Sequence, residues 1–214
     1  SYGIGGTGNN TYTISVANVT GTGSFTIFDT GGTDTLDFSN QSLDSTINLD
    51  ETLSYIGSTG SSSSATNAVI IYDYDPDTNT AGYYSGLIVS IYYANSIENV
   101  NAGSGDDTIT CSSVSNVINS GAGADIIVGI ATGDTINAGD GNDGFSPTNT
   151  SFTLIDGGAG DDSLFGGAGD DALTGGSGSD TFQFTATAGS DVITDFDTNN
   201  DAIQLYYRAT DNHT

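Results

Sequence analysis

GGAGDDSLFGGAGDDALTGGSGSDTF, residues 157–182, says nearly the same thing three times, each copy opening on glycines and carrying an acidic pair or Ser-Asp. The pattern extends outward from there. Nine-residue units start at 102, 111, 120, 129, 138, 147, 157, 166 and 175, with one residue inserted in the sixth. At the eighth position stand Ile109, Ile118, Ile127, Ile136, Phe145, Leu154, Leu164, Leu173 and Phe182, always large and apolar. At the sixth stand Asp107, Asn116, Asp125, Asp134, Asp143, Phe152, Asp162, Asp171 and Asp180. Six glycine-rich residues followed by three extended ones with one inward apolar side chain make half a coil of a parallel β-solenoid, so two units close one turn.

Alternate units then fall on the same side of the coil. One side collects AGSGDD (102–107), SGAGAD (120–125), AGDGND (138–143), GGAGDD (157–162) and GGSGSD (175–180), each with its glycines and its aspartate. The other collects CSSVSN (111–116), GIATGD (129–134), PTNTSF (147–152) and GGAGDD (166–171), of which only the last is intact. The expectation is a one-sided roll, with a row of ions between the five good loops and a mostly vacant opposite side.

The composition fits that picture. The chain of 214 residues holds 27 Asp+Glu against one Lys+Arg, Arg208, for a net charge of −26. Only Glu51 and Glu98 are glutamates. Aspartate is a poor residue for helix interiors and a good one for turns and close approach to an ion, so the fold is read as all-β. Such charge repels nucleic acid and anionic membranes, which excludes both as partners. The longest apolar run, GLIVSIYYA (86–94), is too short to span a bilayer. Cys111 is alone and forms no internal disulfide. The start at Ser1 and the lack of methionine are read as those of a processed or truncated piece.

Calcium takes six to eight oxygens in a tolerant geometry, from carboxylates and backbone carbonyls alike. Glycine lets a loop turn its carbonyls toward one point, and the sixth-position aspartate supplies charge. Zinc and copper lack their nitrogen and sulfur ligands here, and pliant carbonyl loops do not impose the tight octahedron of magnesium. The cofactor is therefore read as several calcium ions, without which so acidic and weakly apolar a segment stays disordered. A phosphate cradle would need a nearby lysine, and the sequence has none.

Units such as GGAGDDSLF (157–165) and GGSGSDTFQ (175–183) resemble the RTX calcium-binding β-roll of type I secreted bacterial proteins. Upstream, FTIFDTGGTDTLDFSNQSLDSTINLDETLSYIG (25–57) and SIENVNAGSGDDTI (96–109) are similar to the segment that joins and begins the C-terminal domain of serralysin-type metalloproteases. The run SDVITDFDTNNDAIQL (190–205) resembles that domain's closing cap. The resemblance implies that each ion takes oxygens from positions two, four and six of one loop and from one, three, five and six of the loop one coil on. The first set is Gly103, Gly105 and Asp107 with Ser120, Ala122, Ala124 and Asp125. The second is Gly121, Gly123 and Asp125 with Ala138, Asp140, Asn142 and Asp143. The third is Gly139, Gly141 and Asp143 with Gly157, Ala159, Asp161 and Asp162. The fourth is Gly158, Gly160 and Asp162 with Gly175, Ser177, Ser179 and Asp180. On the poorer side the candidates are Gly167, Gly169 and Asp171, with Asp134. The resemblance also implies a lead-in site of Asp29, Gly31, Gly32 and Asp34 with Ser96 and Glu98. Residues 58–90 look like an insertion in the family's segment.

Serralysins act through a zinc-binding HExxH helix, and the single histidine here, His213, cannot assemble one. Acid-pair glycoside chemistry is disfavoured because the carboxylates stand in repeat register. Asp73, Asp75, Asp77 and Asn79 alternate as at the start of an EF-hand loop, but Thr78 and Tyr84 replace its glycine and glutamate, so the stretch is read as an acidic surface loop first and an extra ion site second. Asp195, Asp197, Asn199 and Asp201 are read as a turn between two strands. Tyr72, Tyr74, Tyr83, Tyr84, Tyr92 and Tyr93 are read as strand packing, or as a sticky patch for a partner or glycan.

The resulting expectation is an N-terminal β region over 1–100, sandwich-like or an irregular solenoid, continuous with a parallel β-roll over 101–183 and a capping hairpin over 184–214. Such a module would bind calcium at about 0.1 to 1 mM, as extracellular sites do. It would fold outside the cell after type I export as the tail of a larger secreted enzyme. The competing expectation is a cell-surface structural protein, an S-layer or filament subunit, that self-associates.

Overall fold

Repeats one coil apart should pair strand on parallel strand, and the register of the sheets does so: Ile118 lies beside Ile136 and Ile109 beside Ile127. The computed structural model describes residues 2–13, 23–29, 31–40, 45–49, 67–71, 87–91, 97–147, 152–185 and 188–206. The strands of the lead-in are β1 (Tyr2–Gly6), β2 (Thr11–Thr13), β3 (Gly23–Asp29), β4 (Thr35–Asp37), β5 (Ser45–Asn48), β6 (Asn67–Ile71) and β7 (Leu87–Ile91). The repeats supply β8 (Asn99–Asn101), β9 (Thr108–Thr110), β10 (Val117–Ala122), β11 (Ile126–Ile130), β12 (Thr135–Asp140), β13 (Gly144–Pro147), β14 (Leu154–Ala159), β15 (Ser163–Phe165), β16 (Ala172–Ser177) and β17 (Thr181–Thr185). Two strands follow, β18 (Val192–Ile193) and β19 (Ala202–Tyr206).

The chain alternates between two walls. Sheet A runs β1-β3-β7-β6-β5-β9-β11-β13-β15-β17-β19, and sheet B runs β18-β16-β14-β12-β10-β8-β4-β2. Pairing is parallel throughout except at β6, which is antiparallel to β5 and to β7. Of the two architectures expected for the lead-in, the irregular solenoid is the one present, because β2 pairs β4 and β4 pairs β8 in parallel. Its coils are unequal. Thr11 pairs with Thr35, but Thr35 pairs with Asn99 only after a far longer stretch of chain, in which β5, β6 and β7 are taken up.

Alternation along each strand puts one side chain per half-coil inside. Sheet A contributes Ile109, Ile127, Phe145, Leu164 and Phe182, and sheet B contributes Val100, Ile118, Ile136, Ile155 and Leu173, all buried in one core. The sixth unit departs from the expected register. Ile155, not Leu154, pairs with Ile136 and is 1% exposed, while Leu154 is 42% exposed. Thr153 is fully buried where Phe152 was expected, and Phe152 faces solvent. The extra residue lies before the sixth position, where PTNTSF offers no glycine or aspartate to fix it.

The cap is not a hairpin. Strand β18 pairs in parallel with β16, and β19 pairs in parallel with β17, so the two lie in different sheets and add one further coil. A turn at Asp197, in which Asp201 N–H donates to the Asp197 carbonyl at 2.8 Å, joins them. Phe196 closes over the core with its ring centroid 5.9 Å from that of Phe182.

Candidate metal centre

Two edges connect the walls. On the forward edge, from sheet B to sheet A, lie the loops 102–107, 120–125, 138–143, 157–162 and 175–180. On the return edge, from A to B, lie 111–116, 129–134, the described end of the sixth unit at 152–153, and 166–171. The forward edge thus gathers five glycine-rich loops, while the return edge carries a sixth, 166–171.

Its backbone stacks without room for a side chain. Gly123, Gly141, Gly160 and Gly178 each have positive φ, and a Cβ on any of the last three would overlap the carbonyl oxygen of its counterpart one coil earlier. The residue expected as position four therefore presents its carbonyl to the loop above, as a carbonyl-lined site requires.

A ladder of carboxylates runs beside those carbonyls. Oδ1 of Asp125 accepts the N–H of Asp107 at 2.8 Å. Oδ1 of Asp143 accepts that of Asp125, and Oδ1 of Asp162 that of Asp143, each at 2.8 Å. Asp180 accepts from Asp162, and Asp201 from Asp180, each at 3.0 Å. The second oxygen behaves differently: among the described residues, Oδ2 of Asp125, Asp143, Asp162 and Asp180 is buried with no hydrogen-bond donor. Asp107, at the start of the row, has donors on both oxygens, Ser45 N–H at 2.6 Å and Gly103 N–H at 3.2 Å.

Burial pushes these acids upward. Asp107 and Asp162 rise to about 6 and Asp143 to about 7, with neighbouring aspartates adding to the effect of burial. Asp125 and Asp180 are raised for the same first reason. A row of buried, donorless carboxylate oxygens beside stacked carbonyls fits a hard divalent cation with oxygen ligands. Among the described residues no three of His, Cys, Asp and Glu converge, so the set is one of carbonyls and paired carboxylates.

Of the expected ligands, the forward-edge residues from Gly103 to Asp180 are brought into this stack. On the return edge Asp171 Oδ2 is likewise buried without a donor, and Asp171 N–H donates to Asp191 Oδ1 at 2.9 Å. Asp134 differs: its Oδ2 accepts Ala131 N–H and its Oδ1 Asn116 N–H, both at 2.7 Å. In the lead-in, Asp34 and Glu98 meet, Asp34 N–H donating to Glu98 Oε2 at 2.7 Å, with Gly31 and Gly32 in the turn above β4. Asp29 ends β3, and Ser96 lies outside the described residues, as do Asp73, Asp75, Asp77, Asn79 and the tyrosines at 72, 74, 83, 84, 92 and 93.

Three acids of the last coil join these edges without having been expected there. Asp191 and Asp201 continue the two ladders, and Asp195 accepts Gly175 and Gly176 N–H at 2.9 and 2.7 Å. The chain distances, 20 residues to Asp191 and 21 to Asp201, break the nine-residue count that would have found them.

Two families match the chain. The RTX calcium-binding nonapeptide repeat matches residues 112–145 and 152–182 in four copies. The peptidase M10 serralysin C-terminal family matches residues 2–74. No curated protein matches it.

Proposed function

The chain is an RTX calcium-binding repeat protein related to the serralysin C terminus, and from that premise we propose that it is a module that folds on calcium outside the cell after type I export, as the stabilising tail of a larger secreted protein of the serralysin-like metalloprotease kind. Neither matched segment is a catalytic one. The observation that carries the reading is the row of buried Oδ2 atoms at Asp125, Asp143, Asp162 and Asp180 that no group among the described residues satisfies.

Calcium bound between successive forward-edge loops would supply the positive charge that this row lacks. Each ion would be held by the Asp of two neighbouring coils and by loop carbonyls, in the four sets that begin at Gly103, Gly121, Gly139 and Gly158. The chain's own residues do the rest: the glycines admit close stacking, the Oδ1 atoms fix the carboxylates through backbone N–H groups, and the apolar row excludes water. Sites of this kind bind at about 0.1 to 1 mM, so a chain unfolded at cytosolic calcium would fold outside. Titration calorimetry of the purified chain tests this; absence of calcium binding up to about 10-fold above that range would end it.

A second reading, self-association at the cell surface, is favoured by the last coil. Val192, Ile203, Leu205 and Tyr206 are 48–58% exposed there, along the open edges of β18 and β19. Light scattering with and without calcium separates the two: a monomer supports the tail, calcium-dependent polymers the surface protein.

A further inference from the structure

The RTX match runs across both edges, but the return edge does not fit calcium throughout. We infer that between Glu98 and Thr153 this edge takes no ion, and that the Asn116 carboxamide and other donors of the chain close it in place of one. The inference rests on the calcium reading of the forward edge.

The sixth-position side chains of this stretch are Glu98, Asn116, Asp134 and Thr153, so no two carboxylates occupy adjacent coils. Asn116 is fully buried and fully engaged. Its Nδ2 donates to the Glu98 carbonyl at 2.8 Å and to Ser112 Oγ at 3.1 Å, while its Oδ1 accepts Ser112 N–H at 2.9 Å. One amide hydrogen thus meets a carbonyl of the preceding coil, the kind of group a cation would otherwise engage, and the other stays within its own loop.

Asp134 is closed as well. Asn116 N–H and Ala131 N–H each occupy one of its two oxygens. Thr153 brings no charge; its N–H and its hydroxyl both donate to Asp171 Oδ1, at 2.8 and 2.9 Å. No donorless buried carboxylate oxygen occurs at Asn116, Asp134 or Thr153, whereas Asp125, Asp143 and Asp162 opposite each carry one. Loop 111–116 also has no glycine with which to turn carbonyls inward. Asp107 also has a donor on each oxygen, but it stands next to Asp125, whose second oxygen is left over; Asp134 stands between Asn116 and Thr153, so no carboxylate of a neighbouring coil joins it in offsetting the cost of stripping a cation of its water.

The test counts calcium per full-length chain by native mass spectrometry and equilibrium dialysis. Asn116→Ala and the isosteric Asp134→Asn are expected to keep the wild-type count, while Asp125→Asn lowers it by at least one. Loss of an ion in Asn116→Ala or in Asp134→Asn overturns the inference. Should Asn116→Ala not fold, the Asp134→Asn count decides alone. A wild-type chain that binds no calcium overturns the calcium reading itself and this inference with it; a wild-type chain that binds ions and loses one in Asp134→Asn overturns only the inference.

Discussion

Asp125 holds the backbone N–H of Asp107 with one carboxylate oxygen, at 2.8 Å, and buries the other where no described residue donates to it. Half of the group is structural and half is left for a cation. The same division repeats at Asp143, Asp162 and Asp180, and under the proposed function it would couple order to calcium on the forward edge.

Removal of calcium is therefore expected to unfold the repeats. Circular dichroism in EGTA should lose the β signal cooperatively and recover it on adding calcium but not the same concentration of magnesium. A chain that keeps its full β signal and its amide protection after exhaustive chelation would refute the coupling.

Two aspartates that accept an N–H from another coil should differ in weight. Asp143 is buried and accepts from Asp125, whereas Asp106 is exposed and accepts from Ala124, each at 2.8 Å. Asp143→Ala leaves a buried N–H without an acceptor and removes a ligand, so urea unfolding at saturating calcium should show a loss of about 2 kcal/mol or more, against about 0.5 for Asp106→Ala. Equal losses would mean that the Asp143 carboxylate is not special.

Acid should act as a weak substitute for metal. In the metal-free chain Asp107, Asp143 and Asp162 are raised to about 6 to 7, so between about pH 4 and pH 7 the folded form binds more protons than the unfolded one. Stability of the apo form then falls as pH rises through that window and is greatest below it. In EGTA the folded fraction should increase from pH 8 to pH 5, and calcium binding near pH 6.5 should release protons measurable by calorimetry in buffers of different ionisation enthalpy. An apo chain that loses order on mild acidification contradicts this sign.

Glycine should be indispensable where loops stack and dispensable where they do not. A Cβ at Gly141 would overlap the Gly123 carbonyl at a positive φ of 140°, while at Gly144 the nearest atom, Asp125 O, is 4.0 Å away. Gly141→Ala should cost about 3 kcal/mol or more in calcium, and Gly144→Ala about 0.5 or less, by thermal unfolding.

The slipped unit offers a direct check of register. Ile155→Ala should cost about 2 to 5 kcal/mol and Leu154→Ala about 0.5, the reverse of what strict counting from the repeats would give.

That slip shows where the sequence could be read and where it could not. From Asp107 to Asp143 and from Asp162 to Asp180, glycine and aspartate fix each loop except 111–116, where Asn116 holds the sixth position, so core row and ladder follow from spacing. In PTNTSF neither anchor is present, and two adjacent apolar residues, Leu154 and Ile155, compete for the inward place. Asp191 and Asp201 escaped for a related reason, since their coils are longer than two nonapeptide units. The lead-in carries no period at all, its unequal coils being set by pairing partners and not by repetition.

The β6–β7 pair enters sheet A only, between β3 and β5, while β2, β4 and β8 remain neighbours in sheet B. Along the return edge both strands on each side of the insertion still meet, and Asn10, Asp34 and Glu98 stay in line. In sheet A β5 meets β6 and not β3, and Ser45 is the first described residue on the forward-edge ladder. The pair is thus an end stop for that edge. Gene duplication could lengthen the array downstream of Asn101 by whole coils without disturbing the lead-in, whereas a coil added before Ser45 would meet the antiparallel β6 in sheet A.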